Sequence, residues 1–156
     1  MRKEKSTDKL KHYLKSGWYW TKKKEKLSDE ILKLRSQAEK STTSYQDAPV
    51  FGGFQDHRQE IIAEMVDKQE KYKIAKETCE KKLADIQFLI DNLNGYEHDY
   101  QERIILEYRY IYFENWQDIA YRLNYERRQI FRLHGIALMH LLEVHQKMIE
   151  NGKGLF

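Results

Sequence analysis

Asn115-Trp-Gln-Asp-Ile-Ala-Tyr-Arg-Leu-Asn-Tyr-Glu-Arg-Arg-Gln-Ile-Phe-Arg-Leu-His-Gly-Ile-Ala-Leu-Met-His-Leu141 carries two helical periods separated by a turn, and its reading decides the fold. In the first half, Trp116, Ile119, Ala120 and Leu123 recur at i, i+3, i+4 and i+7, the spacing of one helix face. Asn115 is a good N-cap, and Asp118 stands where an acid meets the positive end of a helix. In the second half, Ile130, Leu133, Ala137, Leu138 and Leu141 form another apolar stripe. Asn124 lies between the halves and tolerates the left-handed backbone that a tight inter-helix turn requires. Ala120 is small where two crossing helices must approach. Cap, small crossing residue, turn residue and the arginines at the exposed start of the last helix agree on a helix-turn-helix. Those arginines are Arg127, Arg128 and Arg132.

Upstream, a segment from about Tyr100 to Tyr110 supplies a further helix with Ile104, Ile105 and Tyr108 as its expected buried side. Residues 98–146 then make a three-helix module, with 147–156 expected as a flexible tail. Two longer periods precede it. Leu10, Tyr13, Gly17, Trp20, Lys24, Leu27, Ile31, Leu34 and Ala38 alternate in steps of three and four, as do Ile62, Met65, Gln69, Tyr72, Lys76, Cys79, Leu83, Ile86, Ile90 and Leu93. This is the heptad seam of a coiled coil. Gly17 and Lys24 are weak members, so the N-terminal half of the first helix is expected to fray or kink. Asn94-Gly95 offers a C-terminal cap for the second helix. The polar linker 41–56, with Pro49, Gly52 and Gly53, interrupts the pattern. Residues 1–95 therefore read as an antiparallel hairpin of helices about 6–40 and 57–94, each ~50 Å long at 1.5 Å per residue. The expected fold class is all-α. The linker aromatics Tyr45, Phe51 and Phe54 either cap the hairpin tip or meet a partner.

Composition supports long, solvent-washed helices. Charged residues make up 34%, apolar 40% and aromatic 13%, with one proline and seven glycines, and mean hydropathy is −0.87. A disordered chain has fewer apolar and aromatic groups. The net charge of +3 is small, but residues 1–40 hold 13 cationic against 6 acidic side chains and residues 41–99 hold 7 against 12. The flanks of the two long helices can thus attract across their seam. Cys79 is the only cysteine, which leaves no disulfide framework, and its seam position suits a small core residue. No apolar run approaches a membrane span, and the charged N-terminus has no apolar stretch behind it, so a cytoplasmic location and no membrane partner are expected.

Arginine at the start of the last helix has a defined chemistry. Its planar fork can bond the O6 and N7 acceptors of guanine together, or grip a phosphate. Gln129 has the groups to read adenine, although its phase puts it nearer the flank. Phe131 either contacts a thymine methyl or packs against the hairpin. Arg122, Lys22, Lys23, Lys24 and Lys26 are candidates for phosphate contact, against the alternative of a solvated cationic face. A plain three-helix bundle with solvated arginines is the competing reading of the whole module.

Leu106-Glu-Tyr-Arg-Tyr-Ile111, Trp116-Gln-Asp-Ile-Ala120, Leu123-Asn-Tyr125 and Arg128-Gln-Ile-Phe-Arg-Leu-His-Gly-Ile-Ala-Leu138 resemble a group of Gram-positive phage proteins, the ArpU- and RinA-like late-gene transcription regulators and a related uncharacterised phage family. Their C-terminal part is similar to region 4 of sigma-70 factors. The resemblance is strongest over residues 100–142, and the Ser-Tyr linker extends it more loosely. It implies DNA contacts at Arg127, Arg128 and Arg132, with Tyr125 and Gln129 beside them. It also implies a regulator of phage genes, an activator rather than an enzyme, in a bacterial host. Two positions depart from the sigma pattern: Tyr125 replaces a small capping residue, and Phe131 replaces a polar one.

The expected partners are double-stranded DNA and RNA polymerase, with homo-oligomer formation through the hairpin. A protein-interaction adaptor that binds RNA polymerase or a phage protein without touching DNA is the alternative. The six histidines show no i, i+4 pair with a carboxylate ligand set, and Gly52-Gly53 is an isolated turn rather than a phosphate loop. Neither a metal, a cofactor nor catalysis is expected.

Overall fold

The computed structural model describes the backbone of residues 2–43 and 53–156 and the side chains of residues 6–40 and 57–156. Five helices and no strand occur among the described residues: α1 (Arg2–Thr43), α2 (Gly53–Asp91), α3 (Asp99–Tyr110), α4 (Trp116–Leu123) and α5 (Arg127–Glu150). None of them is long and apolar enough to cross a membrane. Both long helices run further into the linker than the expected limits of 40 and 57. The side chains of Tyr45, Phe51 and Phe54 lie outside the described residues.

The chain divides into two compact units, residues 20–79 and residues 1–19 with 80–156. This differs from the expected boundary near residue 95. The cause is the composition of the helix ends. Leu10, Tyr13 and Leu14 of α1 and Ile86, Leu89, Ile90 and Leu93 around the end of α2 share one buried cluster with Leu106, Tyr110, Ala137, Leu138 and Leu141. The apolar side chains concentrated there are too many for a two-helix seam to bury, so they join the core made by α3 and α5.

In the unit of residues 20–79, Lys68 Nζ donates to Glu30 at 2.7 Å, and Thr21 lies 3.3 Å from the Cys79 sulfur. As one residue number rises the other falls, so α1 and α2 are antiparallel here. Leu27 and Leu34 of the expected α1 stripe are buried. In the first half of the α2 stripe Met65, Tyr72 and Cys79 keep their expected inner side, and only the alternate positions move by one residue, from 62, 69 and 76 to 61, 68 and 75. Ile61, Ala75 and Cys79 are buried, whereas Ile62, Gln69 and Lys76 are exposed. The pair Ile61-Ile62 is apolar on either phase. Lys68 takes a seam position by laying its stem inward and pairing its ammonium with Glu30. The shared hydrogen bond lowers the Glu30 pKa and raises that of Lys68.

In the other unit, α1 is helical through Gly17 rather than frayed. A Cβ there would sit 3.0 Å from Leu83 Cδ2 and 3.2 Å from Ile86 Cδ1. The missing side chain therefore lets two α2 side chains close onto the α1 backbone. The buried side of α3 is Glu102, Ile105, Leu106 and Tyr110, not Ile104, which is half-buried. Glu102, 1% exposed, is tolerated because its carboxylate meets His140 Nδ1 at 2.8 Å.

Residues 147–156 are not a loose tail. Helix α5 continues to Glu150. Gly152, at φ 73°, then closes it with Lys153 N–H donating to Met148 O at 2.8 Å and Gly152 N–H to Ile149 O at 2.9 Å. The chain folds back. Leu155 N–H donates to His145 Nε2 at 3.1 Å, and Phe156 stacks on His145 with ring centroids 3.8 Å apart. That acceptor role needs a neutral His145, and burial lowers its pKa accordingly.

Candidate nucleic-acid interface

The caps and the turn that aim the arginines are built within residues 98–150. Asn115 has extended backbone, and its side-chain oxygen accepts from Gln117 N–H at 2.9 Å and Asp118 N–H at 3.0 Å. Those bonds satisfy donors that the first turn of α4 would otherwise leave open. At the other end Asn124 adopts the left-handed conformation, φ 54° and ψ 43°. Tyr125 N–H returns to Ala120 O at 3.0 Å, and Glu126 opens α5 in extended geometry. Both expectations, the cap at Asn115 and the left-handed turn at Asn124, hold. Ala120, Ile119, Ile105, Ile130 and Leu133 close a small second core between α3, α4 and α5.

Arg127, Arg128, Gln129 and Arg132 are all exposed on α5, and Ile130 and Leu133 face inward. At 100° per residue, Arg128 and Arg132 lie one above the other, and Arg127 shares a row with Phe131. No carboxylate pairs with any of the three arginines among the described residues. The first turn of α5 contains no acid. Cations therefore crowd the positive pole of a helix, where they cost stability.

The remaining expected site residues separate into groups. Tyr125 is half-buried against the small core and serves packing. Arg122 forms an ion pair with Glu114 at 3.0 Å, and its guanidinium lies 5.7 Å from the Tyr108 ring centroid. The α1 lysines belong to the other unit. Lys22 pairs with Glu25 at 2.6 Å, Lys26 approaches Glu30 at 3.9 Å, and Lys23 sits 4.7 Å above the Trp20 ring. Lys24 is half-buried. Local partners thus engage most of that run.

An aromatic brace under the arginines has no counterpart in the sequence reading. Phe131 packs on Trp116, with centroids 5.2 Å apart. The Trp116 ring also takes the Arg109 guanidinium at 4.7 Å and the edge of His134 at 4.7 Å. Arg109 is fixed by donating to Glu114 O at 2.8 Å. His134 shares a buried 2.9 Å hydrogen bond with Tyr110 Oη. Burial pushes the His134 pKa down to about 4, with the Lys11 and Arg109 charges acting in the same direction, so the imidazole is neutral at pH 7. The Tyr110 hydroxyl is pushed up to about 12, chiefly by burial. The one mark of it in the sequence is the aromatic density of Tyr108-Arg-Tyr-Ile-Tyr-Phe-Glu-Asn-Trp116, which by itself assigns no contact.

Comparison with protein-family models, curated proteins and solved structures gives no match.

Proposed function

We propose that this chain is a phage-encoded, sequence-specific regulator of transcription that binds double-stranded DNA. It would combine an antiparallel helical hairpin with a sigma region 4-like helix-turn-helix, α4 and α5, whose first turns of α5 enter the major groove. The observation that carries the reading is the set of carboxylate-free guanidinium groups of Arg127, Arg128 and Arg132 on the exposed start of a helix whose opposite face is buried. A charge arrangement unfavourable to its own helix suits an anionic partner, because the helix pole and the arginines attract phosphate together. Recognition helices of this class place their N-terminal residues on base edges. The similarity of residues 100–142 to phage late-gene regulators supports the transcriptional role. The hairpin is assigned to oligomer formation or to docking RNA polymerase.

The test is fluorescence anisotropy with duplex DNA across a salt series, for the wild type and the R127A/R128A/R132A variant. Wild-type affinity should fall steeply with salt, by about 0.9 log units per log unit of salt for each phosphate neutralised. The triple variant should lose affinity and flatten that slope by roughly 2–3 units if all three groups touch phosphate. Equal binding by both proteins would refute groove recognition. Binding to RNA polymerase with no affinity for DNA would replace this reading by that of a protein adaptor.

A further inference from the structure

Phe131 is the exposed residue of the α5 start whose chemistry phosphate does not explain. It is 43% exposed although its ring already packs on Trp116. Its ring centroid lies 5.4 Å from the Arg127 guanidinium carbon, one helical turn away on the same row. Trp116 is itself held by Arg109 and by the edge of His134, so the Phe131 ring has a fixed backing. An apolar knob backed by Trp116 therefore stands beside a guanidinium within cation–π range. Arg128 and Arg132 have no comparable support among the described residues.

On the major-groove edges of the bases, the apolar group is the pyrimidine C5-methyl, while paired acceptors suited to a guanidinium fork belong to guanine. We propose, resting on the DNA-binding reading, that Arg127 and Phe131 together read a C5-methylated pyrimidine next to a guanine. Arg127 donates to guanine O6 and N7, and the Phe131 ring covers the neighbouring methyl. The methyl belongs to thymine or to 5-methylcytosine, which share this chemistry. Phe131 is thereby a specificity-determining residue, and its backing by Trp116 positions it.

The experiment begins with selection of bound duplexes from random DNA using the full chain. The enriched duplex is then titrated with thymine, uracil, cytosine or 5-methylcytosine at the pyrimidine adjacent to the guanine. Thymine to uracil removes only the methyl and should weaken binding about fourfold, the worth of one buried methyl-sized group. Cytosine to 5-methylcytosine should restore a similar factor, and the tighter of the two methylated duplexes identifies the source. Phe131→Ala should abolish the thymine-to-uracil difference while leaving the salt dependence unchanged. Phe131→Leu, which keeps an apolar group against Trp116, should retain part of the difference and guards against a folding defect. Arg127→Ala should lose the preference for guanine. Enriched sites lacking a methylated pyrimidine beside guanine, or a thymine-to-uracil difference that survives Phe131→Ala, would overturn this proposal and leave groove binding standing. Failure to enrich any sequence would overturn both.

Discussion

Replacing Arg128 by glutamate should make the protein more stable and its DNA binding much weaker. Arg128 is exposed in the first turn of α5, which holds no acid, and no carboxylate or aromatic ring engages it among the described residues. A cation at a helix N-terminus is disfavoured by ~0.3–1 kcal/mol, and an acid is favoured by a similar amount. Arg128 also faces Arg132 at i+4, a like-charge pair, whereas glutamate at 128 would form an attractive pair oriented in the better direction, each worth ~0.2–0.5 kcal/mol. Solvent exposure and incomplete additivity reduce the combined gain to about 1 kcal/mol at low salt. For a chain of this length that is a rise in Tm of about 2–4 °C. Binding should respond oppositely, losing ~1–3 kcal/mol if the residue reads a base and more from the introduced repulsion. Thermal unfolding followed by circular dichroism, paired with anisotropy titrations in the same low-salt buffer, reads both signs. A fall in Tm would mean that Arg128 supports the fold, and affinity within twofold of wild type would mean that it does not meet DNA. Either result refutes the reasoning.

The other predictions concern the scaffold that presents the arginines. Asn115→Ala removes both side-chain bonds to the α4 start and should cost about 1 kcal/mol in urea unfolding, while Asn115→Asp keeps the acceptor but replaces the bond from Asn115 Nδ2 to Asp118 by carboxylate repulsion and should fall between the two. Gly17→Ala should destabilise, because the new methyl meets Ile86, a fully buried side chain, at 3.2 Å and overpacking at ~1–3 kcal/mol outweighs the helix gain of about 1 kcal/mol; stabilisation would show that the helices can separate there. His134 titrates near 6.5 when unfolded and near 4 in the folded protein. The unfolded chain therefore holds more protons between those values. This contribution is full above about pH 6.5 and is lost as pH falls toward 4, by up to ~1.4 kcal/mol per pH unit. Urea titrations across that window should show the slope, and His134→Gln should flatten it.

Periodicity made the arginine face legible because it depends on one helix only. Once Ile130, Leu133, Ala137 and Leu141 were assigned inward, Arg128 and Arg132 had to face outward, and they do. The turn was legible for a related reason: Asn115 and Asn124 act through their own backbone neighbourhood. The α2 phase was not, because Ile61-Ile62 satisfies either register and the deciding contact, Lys68 with Glu30, joins residues far apart in the chain. The contacts of the C-terminal residues were not legible for the same kind of reason. Their anchors are the Gly152 reversal and the His145 ring, and neither belongs to an apolar repeat.

The aromatic brace was the least legible part, and its origin explains why. Phe113 has φ 59°, a left-handed conformation that a phenylalanine adopts at a cost of roughly 1–2 kcal/mol and that no local sequence rule signals. That reversal is sustained by contacts on both sides of it. Glu114 N–H donates back to Tyr108 O at 2.9 Å, Glu114 O accepts from Arg109, and its carboxylate takes Arg122. The turn so held lays the Arg109 guanidinium on Trp116, and Trp116 in turn supports Phe131. Arg109 therefore acts twice, offsetting strain at Phe113 and steadying the surface beside Arg127. The strained turn and the aromatic support of the α5 start are one arrangement.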